Sequence, residues 1–519
     1  MSFIDDFNSF IEGFNSSILY ALIAGVVLIG FGIYATIRMK GMQITRLGEA
    51  WCVAFTKIKE KKGKDTISSF QAFCVSMGAR IGVGNIAGVA CAIVMGGPGA
   101  IFWMWIFAII GAATSFVENT IGQIYKEKKA DGHFHGGPAY YVKNALKKPK
   151  FAVFMAVMVI LTYGLGFLGT QINQAAAQIC NVAGVSSSLF GADGGLNIGI
   201  IVVAVILMAI TGLIIFGGIR RVAKVSTWLV PAMAIAWMIL CCLIILLNFS
   251  QILLVIETIF NYAFNVQPFL GGGFGMVVIW GLKRGMFSNE AGNGSIPNVS
   301  SSAKVKHPVK QGLIQSVGVL IDTLVVCSAT AFVVILYTNT AYPNYDFAAQ
   351  GIDTALNGSP LVSEALSNSF LGVAGPIVLA VFLCVFAYSS VIGYYSMSET
   401  NLKFISEKKI PLLILRIVIL VYVFFSCIWS MSVAWNLADT LMLLLAIFNI
   451  IVLIPLAKNA FAALKDYFDQ KGEGIEEPVF DPKCLPIQEG ITCWPDKDDE
   501  EVVIGSLEAA YDGRKTLNK

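Results

Sequence analysis

Long apolar runs alternate with short polar connections along most of the chain. Eleven runs stand out, at about 15–38, 68–95, 98–123, 151–182, 196–217, 226–248, 275–303, 311–337, 370–400, 411–430 and 435–457. Most reach the ~20 residues that a helix needs to cross a hydrocarbon layer of roughly 30 Å. The pattern predicts an all-α polytopic membrane protein with about 11 transmembrane helices. Three stretches outside the runs, 1–14, about 249–266 and 338–369, are expected to be external or interfacial and to hold short amphipathic helices.

Two runs are not uniformly apolar. The second contains "GARIGVGN" (Gly78 to Asn85) and the seventh contains "GLKRGMFSNEAGNGS" (Gly281 to Ser295). Glycine is common in membrane helices as a close-packing residue, but Arg, Lys, Glu, Asn and Ser are costly against lipid. Irregular backbone at that depth is tolerated only inside protein or along a cavity. Setting the first run aside as one extra helix leaves ten, of which the interrupted two are the first and sixth. That placement is expected of two five-helix inverted repeats, 68–248 and 275–457, whose paired discontinuous helices mark a substrate and ion site. "GVGNIAG" is no dinucleotide fingerprint, because its spacing is GxGxxxG and no strand precedes it.

Charge orients the bundle. The connections 39–67, 124–150, 218–225, 304–310 and 401–410 are basic, whereas 183–195, 249–274 and 338–369 contain no Lys or Arg. The positive-inside rule then puts the N-terminus (1–14) outside and the polar tail 458–519, with "DKDDEE" near its end, in the cytoplasm. That tail is expected to pack loosely. The first 14 residues carry Asp5, Asp6 and Glu12 but no basic residue, so no cleavable leader is expected and the first run stays as an anchor.

Composition agrees. Of 519 residues 56% are apolar and 13% charged, with a mean hydropathy of +0.73, far from a soluble domain's quarter charged. The net charge of +3 carries no signal for nucleic acid, and the 11 cysteines, mostly inside apolar runs without CxxC spacing, read as small buried hydrophobes. No GxSxG, HExxH or P-loop pattern supports a membrane-embedded enzyme. A passive channel would favour a continuous polar pore over two paired breaks.

Longer blocks carry a resemblance. "SSFQAFCVSMGARIGVGNIAGVACAIVMGGPGAIFWMW" (Ser68 to Trp105), "HGGPAYYV" (His135 to Val142), "RGMFSNEAGNGSIPN" (Arg284 to Asn298) and "WNLADTLM" (Trp435 to Met442) resemble the signature blocks of the alanine or glycine:cation symporter family, over about residues 15–460. The resemblance implies a leucine-transporter-like fold in the plasma membrane. It also implies uptake of small neutral amino acids such as alanine and glycine, coupled to Na⁺ as the cofactor-like ion or, alternatively, to H⁺. The chain departs from the family pattern at Val83, where many members have threonine, and in "GTQINQAAAQ" (Gly169 to Gln178).

An amino acid zwitterion needs both its charges matched in a low-dielectric site. Half-helix N-termini and freed carbonyls supply partners, so Gly82, Gly84 and Asn85 of the first break and Ser288, Asn289, Gly292 and Gly294 of the second are expected to bind it. Of Gln171, Asn173 and Gln174 at least one should face the cavity, and Tyr394 is a candidate wall. In the fold resembled, an adjacent hydroxyl pair, here Ser389 and Ser390, joins carbonyls near Gly78 and Ile81 to hold Na⁺; the alternative is that these hydroxyls merely bond back along their own helix. Arg80 is expected to pair with Glu290, with Asp322 and Glu399 as other partners. H⁺ coupling would instead lean on a carboxylate such as Glu290. Glu118, Gln123 and Asp439 are candidates for gating or for local capping.

Overall fold

The computed structural model describes residues 3–16, 26–55, 67–129, 132–189, 196–217, 219–264, 273–341 and 356–494. Among them eight helices are long and apolar enough to cross a membrane: Ala100–Ile124, Pro149–Ala183, Ile198–Ile215, Val225–Leu247, Val309–Ala341, Gly372–Ile405, Lys409–Ile428 and Met431–Gly472. Val26–Arg38 is a shorter apolar helix. It covers the end of the run expected at 15–38, of which 17–25 lie outside the described residues.

The two polar runs are broken helices. Ser69–Arg80 starts with a capping box, in which Ser68 Oγ accepts from Gln71 N while Gln71 Oε1 accepts from Ser68 N. It stops at Arg80, passes through extended Ile81 and Gly82 and a 3₁₀ turn at Val83–Asn85, and resumes as Ala87–Gly96. The other runs as Gly273–Asn289 and resumes briefly at Pro297–Ser300. Two further helices carry a π-turn, at Thr162–Phe167 and Ile321–Cys327, a distortion that tends to accompany functional sites.

Burial separates centre from rim. Every residue from Ala112 to Ile124 and from Val309 to Leu320 is buried. Ile198–Ile215 and Lys409–Ile428 instead expose rows of Ile, Val and Leu, such as Val202, Ile206, Leu213, Ile410, Ile414 and Ile417, the apolar faces suited to lipid. Three short helices, Phe3–Ser16, Ile252–Ala263 and Ser359–Ser367, fall in the stretches expected to hold them.

The tail corrects the sequence reading. The last long helix does not stop at 457 but continues to Gly472, because Ala460, Ala463, Leu464 and Tyr467 prolong its buried stripe. Nor is the chain loose from Glu473 to Trp494. Phe480 and Leu485 are buried, Phe480 N donates to Lys306 O, Asn459 clasps both polar groups of Ile487, and Trp494 Nε1 donates to Gln123 O at 3.1 Å. Apolar anchors among the polar residues tie this strap across the helix ends.

Candidate functional site

The first break frees carbonyls in a predictable way. Gly82 N–H, which a continuous helix would give to Gly78 O, goes to Asn85 Oδ1 at 2.9 Å. Val83 N–H, due to Ala79 O, goes to Gln171 Oε1 at 2.8 Å. Asn85 N–H, due to Ile81 O, goes to Gly82 O. Three carbonyls are therefore left for other partners.

Those partners lie on one face of Gly375–Ile405. Ser389 Oγ sits 3.2 Å from Gly78 O and 3.3 Å from Ile81 O. Ser390 Oγ sits 3.0 Å from Gly78 O and 3.3 Å from Ala79 O, and Tyr394 OH donates to Ala79 O at 3.0 Å. Ser389 Oγ also lies 2.9 Å from Phe386 O, so back-bonding along its own helix competes. All these residues are buried. Gathered carbonyl and hydroxyl oxygens are the donor set a hard monovalent cation takes. Gly82 is required by closeness: a Cβ there would lie 2.3 Å from Ser390 Oγ and 2.9 Å from Gln171 Oε1.

The two breaks meet at Asp322, on the π-turn of Val309–Ala341. Asn85 Nδ2 donates to Asp322 Oδ1 at 2.6 Å, and Ser288 Oγ donates to Asp322 Oδ2 at 2.6 Å. Thr323 Oγ1 adds a third bond at 3.2 Å. Sequence reasoning placed Asp322 only among partners for Arg80; its signal was a lone acid in an apolar run.

Several expected ligands are otherwise employed. Gly292 and Gly294 both have positive φ, +83° and +74°, and their N–H groups were expected to face a substrate. They donate instead to Glu118 Oε1 and Oε2, at 3.2 and 3.0 Å, while Asn449 Nδ2 holds Oε2 at 3.1 Å. The carboxylate thus caps the broken segment from within the protein. Asn289 braces the same segment, with Oδ1 accepting from Ala291 N and Nδ2 donating to Thr323 Oγ1. Of the three amides only Gln171 reaches the first break; Asn173 donates to Ser426 O and Trp429 O, and Gln174 Oε1 accepts from Ser359 N.

Arg80 makes no direct pair with Glu290. Its guanidinium donates to Asn289 O at 2.8 Å, to Gln315 O and Oε1 at 3.2 and 3.1 Å, and to Ser115 Oγ at 3.1 Å. Neutral oxygens on three neighbouring elements satisfy the planar fork, and Glu290, at φ 56° just past the end of its helix, lies near the guanidinium without bonding to it. A buried ion pair is formed instead by Arg284 with Asp439, one turn from Ser288 along the helix, with Trp435 4.2 Å from the guanidinium. Aromatic rings enclose the region: Phe167 stacks on Phe287 at 4.3 Å, Phe287 meets Trp435 at 4.6 Å, and Tyr394 meets Phe167 at 5.6 Å. Glu399 pairs with Lys403, away from Arg80.

Comparison with known proteins gives this arrangement a family. The model of the sodium:alanine symporter family matches residues 4–482. The probable sodium/glutamine symporter GlnT of Bacillus subtilis (strain 168) is 40% identical over 488 residues, 94% of this chain and 96% of that one. The sodium/alanine symporter AgcS of Methanococcus maripaludis is 34% identical over 457 residues, covering 88% and 95% of the two chains. A sodium/proton-dependent alanine carrier protein of Bacillus sp. (strain PS3) is 33% identical over 454 residues, 84% of this chain and 97% of its own. The chain therefore belongs to the sodium:alanine symporter family and is a polytopic membrane transporter, not an enzyme.

Proposed function

We propose that this transporter carries a small neutral amino acid, alanine or glycine first among them, together with Na⁺ by alternating access. One observation carries the reading: Ser389 and Ser390 hydroxyls lie against the carbonyls that the first break frees. A Na⁺ held there is bonded to two separate helices at once, so its binding energy favours the conformation in which they touch. The amino acid carboxylate takes the N–H groups at Gly82 to Asn85, replacing the side-chain oxygens of Asn85 and Gln171 that occupy two of them. Its ammonium takes Asp322. Phe167, Phe287 and Tyr394 bound the space left for the side chain, and Gly84 lets backbone approach Phe287 closely.

The same reading supplies the frame. Eleven spans, one extra helix and two inverted repeats of five at 68–248 and 275–457, lie in the plasma membrane with the N-terminus outside and the tail strap on the cytoplasmic side. The two broken helices at matching repeat positions and the alternation of basic connections support it. The broken helices move against the rest, and the Arg284–Asp439 pair with Trp435 closes the outer side.

The test is uptake of labelled alanine, glycine and glutamine into proteoliposomes under an inward Na⁺ gradient, and with K⁺ or a pH step in its place. Accumulation that requires Na⁺ supports the reading. Accumulation driven by the pH step alone moves coupling to a carboxylate, and none under any gradient overturns it.

A further inference from the structure

Three carboxylates lie buried around Arg80, and two of them are fully served. Glu118 has the N–H groups of Gly292 and Gly294 and the Asn449 amide; Asp322 has Asn85, Ser288 and Thr323. Glu290 has none. Both its carboxylate oxygens lack a hydrogen-bond partner, as do Asn293 Oδ1 and Nδ2, Ser295 Oγ and Tyr163 OH. All four side chains are 0% exposed. They face one another: Ser295 and Tyr394 stand toward Glu290, and Asn293 and Ser295 toward Tyr163. A fold rarely leaves so many buried polar atoms unserved in one place without something to fill the gap.

Charge points the same way. Arg80 is the cation that faces Glu290, Asp322 and Glu118. With all three carboxylates ionised, one guanidinium leaves two negative charges in a low-dielectric centre, a cost that bound cations relieve. A Na⁺ at Ser389 and Ser390 supplies one positive charge, and a zwitterionic amino acid supplies none.

We propose that the second break is a second monovalent-cation site, formed by the Glu290 carboxylate, Asn293 Oδ1, the Ser295 hydroxyl and the Tyr163 hydroxyl. The inference rests on the symport reading above and deepens it, since it sets the coupling at two cations per amino acid. The occupant is Na⁺ among these oxygens, and it cancels the remaining charge. The groups facing Glu290 are Arg80, Asp322, Tyr163 and Tyr394, so loading must overcome the field of Arg80 with the help of Asp322. Tyr394 links the two sites, because its hydroxyl holds Ala79 O of the first while facing Glu290 of the second.

Coupling is read from the steady accumulation ratio of alanine in proteoliposomes clamped at zero voltage with K⁺ and valinomycin. Under a tenfold inward Na⁺ gradient, one coupled Na⁺ sustains about tenfold accumulation and two about a hundredfold, each factor of ten being ~1.4 kcal/mol. One Na⁺ plus one proton gives about tenfold from Na⁺ alone and about tenfold more from one pH unit. The expected wild-type result is about a hundredfold from Na⁺ alone, and Glu290→Gln should fall to about tenfold. Ser295→Ala, which keeps the carboxylate, should raise the cation concentration needed for half-maximal uptake several-fold at unchanged coupling. A wild-type ratio near tenfold from the Na⁺ gradient, whether or not a pH unit adds to it, overturns the proposal whatever the variants do, as does a Glu290→Gln protein that keeps the wild-type ratio. Absence of accumulation under every gradient is a different result, and removes the symport reading itself.

Discussion

Ser390 Oγ lies 3.0 Å from Gly78 O, a carbonyl that is available because Asn85 has taken the Gly82 N–H. A local rearrangement of backbone hydrogen bonds thereby creates an inter-helix site. If the hydroxyl is a Na⁺ ligand, Ser390→Ala should raise the Na⁺ concentration for half-maximal uptake about tenfold, the factor that ~1.4 kcal/mol represents. Uptake against Na⁺ at saturating alanine checks this, and an unchanged curve would leave the serine a mere helix brace.

Gly82→Ala should abolish uptake while the protein still accumulates in the membrane. The added methyl meets Ser390 Oγ and Gln171 inside ordinary contact distance, so the break must shift at the point where its carbonyls and N–H groups are aimed. Uptake per unit of purified protein is the measurement.

Asp322→Asn keeps the shape of the side chain but removes its charge. With the ammonium unmatched, half-maximal uptake should need on the order of 100-fold more alanine, about 3 kcal/mol. Measuring alanine dependence at saturating Na⁺ separates this loss from one at the ion site.

Glu118→Gln should act on stability more than on recognition. It weakens charge-assisted bonds to Gly292 N, Gly294 N and Asn449, and a hydrogen bond to a charged group is worth roughly 1.5–3 kcal/mol. The expected result is a lower thermal midpoint in detergent with little change in Na⁺ or alanine affinity at temperatures where the protein is folded.

His307 predicts a pH effect outside the membrane. Its Nδ1 accepts from Val309 N, so Nε2 carries the proton toward Asp466 Oδ2 at 3.1 Å, and Phe480 and Tyr467 flank the ring. Burial lowers its pKa below the usual 6.5, and Asp466 only partly opposes this. The unfolded state then binds the extra proton more readily, so the contribution to stability is complete above about pH 6.5 and declines as pH falls below it. Thermal midpoints should therefore drop on acidification from neutrality, and His307→Gln should flatten that part of the profile.

Much of the site was legible in the chain itself. Gly78, Ile81, Ser389 and Ser390, named from the fold that the chain resembles, do come together, and glycine-rich polar stretches marked both breaks because such residues have no place on a lipid-facing helix. Asp322 and Glu118 were harder. A carboxylate in an apolar run announces that it needs partners, but not which, and apart from Thr323 beside Asp322 the donors lie 34 residues or more away in sequence. The Arg80–Glu290 pair failed for the same reason: matching depth and opposite charge do not fix a contact, and the guanidinium is taken up by Asn289 O, Gln315 and Ser115 Oγ.

Hydrophobic periodicity, loop charge and glycine placement were enough for the membrane character, the runs and the positions where two helices had to break, since these depend on each segment's own free energy in lipid or water. Which freed backbone groups remain for ligands was decided by packing. Gly292 and Gly294 lost theirs to Glu118, whereas Gly78, Ala79 and Ile81 kept carbonyls facing Ser389, Ser390 and Tyr394. A buried hydrogen-bonding group is satisfied by whichever neighbour the assembled helices bring within about 3 Å, and no one-dimensional pattern records that neighbour.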